Sequence, residues 1–173
     1  VVADTRAQAR DAVAQVKTKI TPLAPILSID AAIEQESFLE KPLTLSSGQV
    51  ENAYGAAPYQ LAGELYAGGQ EHFYLEGQAA IAQADENGGI QLFVSTQHPS
   101  EIQHKVAGML GLTYGDIQVD VRRMGGGFGG KESQSNLTAC IAALAAHKTG
   151  RPARLVYDRD DDMRVTGKRH DIK

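Results

Sequence analysis

Apolar and polar positions along this chain follow two periods, and the changes between them mark its elements. Behind Asp4 and Thr5, either of which can cap, Ala7, Ala9, Ala12, Val13 and Val16 predict a small-residue amphipathic helix. Residues 17–23 read as a strand ending at Pro22. Ser28 reads as the cap of a short helix, "IDAAIEQ", and residues 36–48 as irregular. Residues 47–58 read as one or two helical turns before Pro58. At Tyr59 the period becomes two. Tyr59, Leu61, Gly63 and Leu65 share one face, and strands follow at 77–84 and 90–96 across the turn-forming "DENGG". Ile102, Val106, Met109 and Leu110 return to helical spacing, with Gly111 as the exit. In "IQVDVRR", Ile117, Val119 and Val121 point inward. Leu137, Cys140, Ile141 and Leu144 form the stripe of a further helix that stops at Gly150. A strand over 153–159 and a short helix opened by "DDDM" complete the reading. The pattern predicts an α+β fold of mixed strands with packed helices over 1–173. Its candidate lobes are 1–57 and 58–173, with lobes meeting near 97–132.

Between a strand and a helix lies "MGGGFGGKES", in which five of the six residues 125–130 are glycine. Strand, glycine loop and helix form the context of a phosphate site. Gly125, Gly127 and Gly130 fit G-x-G-x-x-G, but a run this rich in glycine matches almost automatically. The acidic partner expected about 20 residues on would fall inside the next helix. Gly125, Gly130 and Lys131 fit the phosphate-loop pattern, but Glu132 stands where a magnesium-binding hydroxyl belongs, and its carboxylate would repel a polyphosphate. A plain structural turn is the third reading. Against it stand the entropy cost of three consecutive glycines and Phe128, a large apolar group in mid-loop.

Composition narrows the classes. Seventeen basic against 21 acidic residues give a net charge of −4, so no basic field argues for nucleic acid or an anionic membrane. No apolar run reaches membrane-spanning length. Cys140 is the only cysteine, which excludes an internal disulfide and agrees with a reducing, cytoplasmic setting. It is expected to be a buried helix residue. The opening "VVADT" and the close "RHDIK" read as the ends of a fragment.

Three long motifs in one order, "GGQEHFYLEGQ", "LFVSTQHPSEIQ" and "RMGGGFGGKES", resemble the molybdenum-binding subunit of xanthine dehydrogenase and its relatives, the aldehyde oxidases and other molybdenum hydroxylases. The likeness extends to "KTGRPARLVYDRDDDM" and to the N-terminal segment. It implies a cofactor-binding domain fold and a molybdenum–molybdopterin cofactor, or its cytosine dinucleotide form. It also implies roles for particular residues. Gly126, Gly127, Phe128 and Gly129 match the loop that approaches the metal and pterin through its backbone, where side chains would block the way. Gln97 matches the glutamine whose amide donates to the apical molybdenum oxygen, so Gln97 and Phe128 lie near the metal without ligating it. Glu132 matches the carboxylate that contacts substrate in xanthine-oxidising members, and so points to a purine. In the segment of Gln70, Glu71, His72 and Glu76, a hydrogen-bonded turn with Phe73 and Tyr74 in the core is expected rather than a metal site. His98, His104, His147 and His170 read as surface or helix-end residues.

The chemistry implied is hydroxylation of hypoxanthine or xanthine to urate with oxygen from water, electrons leaving through 2Fe-2S centres to FAD. The general base, the remaining substrate contacts and much of the cofactor cradle are expected beyond Lys173, and the iron–sulfur and FAD centres on partner subunits or domains. The 173 residues alone are therefore expected to be inactive. An aldehyde or other N-heterocycle hydroxylase of the same family is the nearest alternative, and a nucleotide-phosphate module the more distant one.

Overall fold

Where the period of two has a partner surface, it forms a sheet. The computed structural model describes residues 1–173 and divides into two compact units, residues 1–15 with 70–169 and residues 16–69 with 170–173. The chain passes between the units after residues 15, 69 and 169, and all of 97–132 lies in the first unit.

In the first unit, β1 (Ala79–Ala84) pairs antiparallel with β2 (Ile90–Val94), and β2 pairs parallel with β3 (Ile117–Asp120). The strand β4 (Ala153–Val156) adds to the other edge of β1, giving a mixed sheet of order β3-β2-β1-β4. The β1–β2 turn is held by Asp85, whose Oδ1 accepts from the Asn87 and Gly89 amides at 2.8 and 2.9 Å; Gly88 there has a left-handed φ of 87°. Ile90, Leu92 and Val94 are buried on one face, as their alternation predicts.

Two helices cover that face. α4 (Pro99–Leu110) buries Ile102, Val106 and Ala107 and ends at left-handed Gly111, as expected. α5 (Ser135–Thr149) departs from the expected stripe. Its buried residues are Ser135, Thr138, Ala139, Ala142, Ala143 and Ala146, while Leu137, Ile141 and Leu144 are exposed and Cys140 is half-buried. The reason lies across the interface. β1 presents Ala80 and Ala82 to the same core, and small residues on both sides let helix and strand backbones approach closely. Met109 on α4 likewise points outward. The unit also contains α1 (Arg6–Val13) and α6 (Arg159–Val165). Thr5 and Gln8 cap the start of α1 reciprocally, and the helix ends at Val13, short of Val16. Asp158 caps α6 by accepting from the Asp161 amide at 3.0 Å, and it pairs with Arg6 and Arg10.

The second unit contains α2 (Ile29–Glu34), capped by Ser28, and α3 (Val50–Ala56); neither buries a residue. The strands expected at 17–23 and from Tyr59 do not form. The backbone there lies outside regular structure apart from one bridge, Ala67 to Ile172, and Ile20, Leu23, Tyr59, Leu61 and Leu65 are exposed. Alternation marks a strand only where a neighbouring strand can take its hydrogen bonds.

Candidate functional site

Gln97 follows the end of β2, and the glycine loop follows the end of β3. The parallel pairing of these strands sends both segments out from the same end of the sheet. There they join. Gln97 Oε1 accepts from the amides of Gly129 at 3.0 Å and Lys131 at 3.1 Å, and the Gln97 amide donates to the Lys131 carbonyl at 2.8 Å. The Gln97 side-chain nitrogen has no partner within the chain, and the residue is exposed.

The loop is shaped by left-handed backbone at Gly125 (φ 60°), Gly126 (92°), Phe128 (53°) and Gly129 (88°). Two of its glycines are required by crowding instead. A Cβ on Gly127 would lie 2.6 Å from Gln97 Oε1, and one on Gly130 would lie 2.7 Å from both His72 Cγ and Tyr74 Cε1. Gly130 donates back to the Gly127 carbonyl at 2.7 Å. The N–H groups of Gly126, Gly127 and Phe128 find no acceptor in the chain. The Phe128 side chain is 76% exposed and borders a cleft of about 300 Å³ lined by Gln70, Glu71, His72 and Arg169. Burial pushes the Glu71 carboxyl up, but the Lys168 ammonium 2.7 Å away and the Phe73 amide outweigh it and hold the group below its ordinary range.

Gln97, Gly127 and Gly129 are thus brought into direct contact, with Gly126 and Phe128 in the same turn. Glu132 is exposed and makes no hydrogen bond or ion pair within the chain. Of the two adjacent aromatics in "GGQEHFYLEGQ", Tyr74 enters the core and Phe73 does not. Phe73 is 66% exposed at a left-handed φ of 49°, because the turn needed to bury Tyr74 throws its neighbour outward.

Lys131 does not face outward as a phosphate-loop lysine would. Its side chain is fully buried, and Nζ donates to the Met124 carbonyl at 2.6 Å and Ser95 Oγ at 2.8 Å, with Glu76 Oε2 at 3.4 Å. It lies 4.6 Å above the Tyr74 ring. Burial pushes its pKa down while Glu76 opposes the shift. Beside it runs a second buried polar network. Tyr74 donates to Asp162 Oδ1 at 2.7 Å, the Gln78 amide to Asp162 Oδ2 at 2.8 Å, and Gln78 Nε2 to Tyr74 Oη and the Gly130 carbonyl, both at 2.9 Å. Burial, with Asp162 as acceptor, pushes the Tyr74 phenol up to about 12. Neither network is visible from spacing. Asp162 sits in an acidic run that reads as a solvated helix start, and Lys131 in a run that reads as loop.

Comparison with known proteins gives the family. Residues 33–173 match the molybdopterin cofactor-binding domain family. Xanthine dehydrogenase/oxidase of Felis catus is 47% identical over 171 residues, 98% of this chain and 13% of that protein. Aldehyde oxidase 2 of Cavia porcellus is 42% identical over 174 residues, 99% of this chain and 13% of that protein. The chain therefore spans about one eighth of the length of these curated relatives. The structure of the aldehyde oxidoreductase from Desulfovibrio gigas superposes with a TM-score of 0.84 at 26% identity, covering 98% of this chain and 19% of that one. The chain belongs to the molybdopterin cofactor-binding domain family of the xanthine dehydrogenase and aldehyde oxidase type.

Proposed function

We propose that the chain forms one wall of the molybdenum-cofactor and substrate site of a xanthine dehydrogenase-type hydroxylase that oxidises purines. The observation that carries the reading is a convergence of donors. The oxygen of Gln97 is tied to the glycine loop and its NH₂ is left without a partner, beside three consecutive loop amides in the same condition. Polar groups held in fixed geometry and left unpaired fit a ligand that completes them. Oxo and pterin acceptors suit this set, which offers N–H groups and no added charge.

Gln97 would hold the cofactor through its amide, and Gly126, Gly127, Phe128 and Gly129 would hold it through close backbone approach. The bound cofactor supplies hydroxylation of an electron-poor carbon with oxygen from water. Glu132, exposed just past the loop, would pair with a polar edge of the purine and stabilise charge developing on its ring. The general base and the rest of the cradle would come from beyond these 173 residues, with 2Fe-2S and FAD centres on partner subunits or domains, and these 173 residues alone would be inactive.

The test uses the protein expressed from its own gene. Molybdenum should be present at close to one per chain, with xanthine turnover. Glu132→Ala should retain the metal and lose xanthine turnover by two orders of magnitude or more. Full metal loading with turnover of aldehydes but not xanthine would favour the aldehyde-oxidising alternative, which the 42% identity to an aldehyde oxidase keeps close. Absence of molybdenum from protein with full iron and flavin loading would overturn the reading.

A further inference from the structure

Five glycines in six residues give the loop no side chains with which to hold its own shape. Gln97 and Gln78 bond to its far half, and Lys131 alone joins its two ends. The Lys131 backbone meets Gln97 in both directions, and its carbonyl also accepts from Thr96 Oγ1 at 3.0 Å and Ser135 Oγ at 2.9 Å. Its side chain then turns back beneath the loop to the Met124 carbonyl, at the loop's other end. Residues 124 and 131 are closed into a ring by a buried ammonium. Its donors face Met124, Ser95 and Glu76, and the single proton of Ser95 Oγ has Glu76 Oε2 at 2.7 Å and the Met124 carbonyl at 3.0 Å as alternative acceptors.

We propose that Lys131 is the positioning residue of this site: its buried ammonium ties the neck of the glycine loop and so fixes both the loop amides and the outward-facing Gln97 amide. The assignment to a molybdenum site rests on the function proposed above, whereas the tie itself does not. A charged donor is the fitting choice, because hydrogen bonds from an ammonium to a carbonyl are stronger than neutral ones and leave no buried acceptor unmet. Lys131 touches no reacting atom. It acts through Met124 at one end and Gln97 at the other.

The test is amide hydrogen exchange on the protein expressed from its own gene, with Lys131→Met, which keeps length and loses the donors. Exchange at Gly129, Gly130 and Lys131 should quicken on the order of tenfold to a hundredfold, while β1 and α5 keep their protection. In molybdenum-loaded protein, the Mo(V) spin-resonance line shape should change as well. Lys148→Met, at the exposed end of α5, is the control and should change neither. Unchanged exchange in the loop, or equal loosening of loop, β1 and α5, would overturn the proposal; the second result would make Lys131 a core residue with no special hold on the loop. Should Lys131→Met fail to fold, Ser95→Ala removes one partner of the ammonium. The proposal then requires a smaller quickening confined to 124–131, and none would refute it. If the wild-type protein holds no molybdenum, the functional reading fails and exchange alone decides the tie.

Discussion

The residues that form the sheet and those between 16 and 69 both carry many apolar side chains, yet they use them in opposite ways. In the sheet, Ala82 and Leu92 are fully buried with α4 and α5 over them. In 16–69, Leu39 and Leu61 are almost wholly exposed, and the two helices bury nothing. Hydrophobicity alone does not make a core. What separates the regions is pairing: β1 has a strand on each side, while Tyr59–Gly68 has a single bridge. Ordering backbone costs roughly 1–2 kcal/mol per residue, which ladder bonds and burial must together offset.

The sharpest way to break this comparison is to truncate a leucine in each region. Leu92→Ala should lower unfolding stability by about 2–5 kcal/mol, whereas Leu61→Ala should stay within about 0.5 kcal/mol by denaturant titration. Equal effects would mean that Leu61 is covered in the protein as expressed. Next in size, Gly127→Ala should cost about 1–3 kcal/mol. Its Cβ would displace the Gln97 side chain, so molybdenum content should fall with stability. The Tyr74 network should lose about 1–3 kcal/mol in Tyr74→Phe. Its pH dependence is specific. The fold favours the neutral phenol, so that contribution is whole below pH 10 and is lost as pH rises through about 12. The wild-type advantage over Tyr74→Phe should therefore shrink across that window and stay level between pH 7 and 9. The smallest contrast lies in the caps. Asp158→Ala should cost about 1 kcal/mol, since α6 buries Asp162 against the core. Ser28→Ala should cost a few tenths, because α2 has no fully buried residue for its cap to hold in place; protection of the Ala31 amide would report this.

Much of the fold was legible where two signals coincided. The β1–β2 hairpin combined alternation with "DENGG", and α4 combined helical spacing with a terminal glycine. The α5 stripe misled because the larger side chains attract attention, whereas β1's alanines had already decided that small residues face inward. Phe73 and Tyr74 are adjacent aromatics, and spacing cannot say which of two neighbours a turn will bury. At the site, the glycines of the loop announced a close approach. The family resemblance put Gln97 near the same cofactor, but its bond to Gly129, 32 residues away, appears only in the structure. The buried ammonium of Lys131 had no sequence signal at all, because an isolated lysine in a polar run is ordinarily solvated.

The parallel register of β2 with β3 has a consequence for how this sequence can vary in length. Phe93 pairs with Asp120, and Gln97 and Met124 each lie four residues further on. The two arms of the site are thus measured from one rung of the ladder. An insertion after α4, at Gly111–Thr113, lengthens only a connection and leaves both arms in step. A single residue added at 94–96 would turn Gln97 to the opposite face and unpair it from Gly129 and Lys131. Descendants of this chain are free to gain or lose residues on the far side of α4, and are held to a fixed count on the near side.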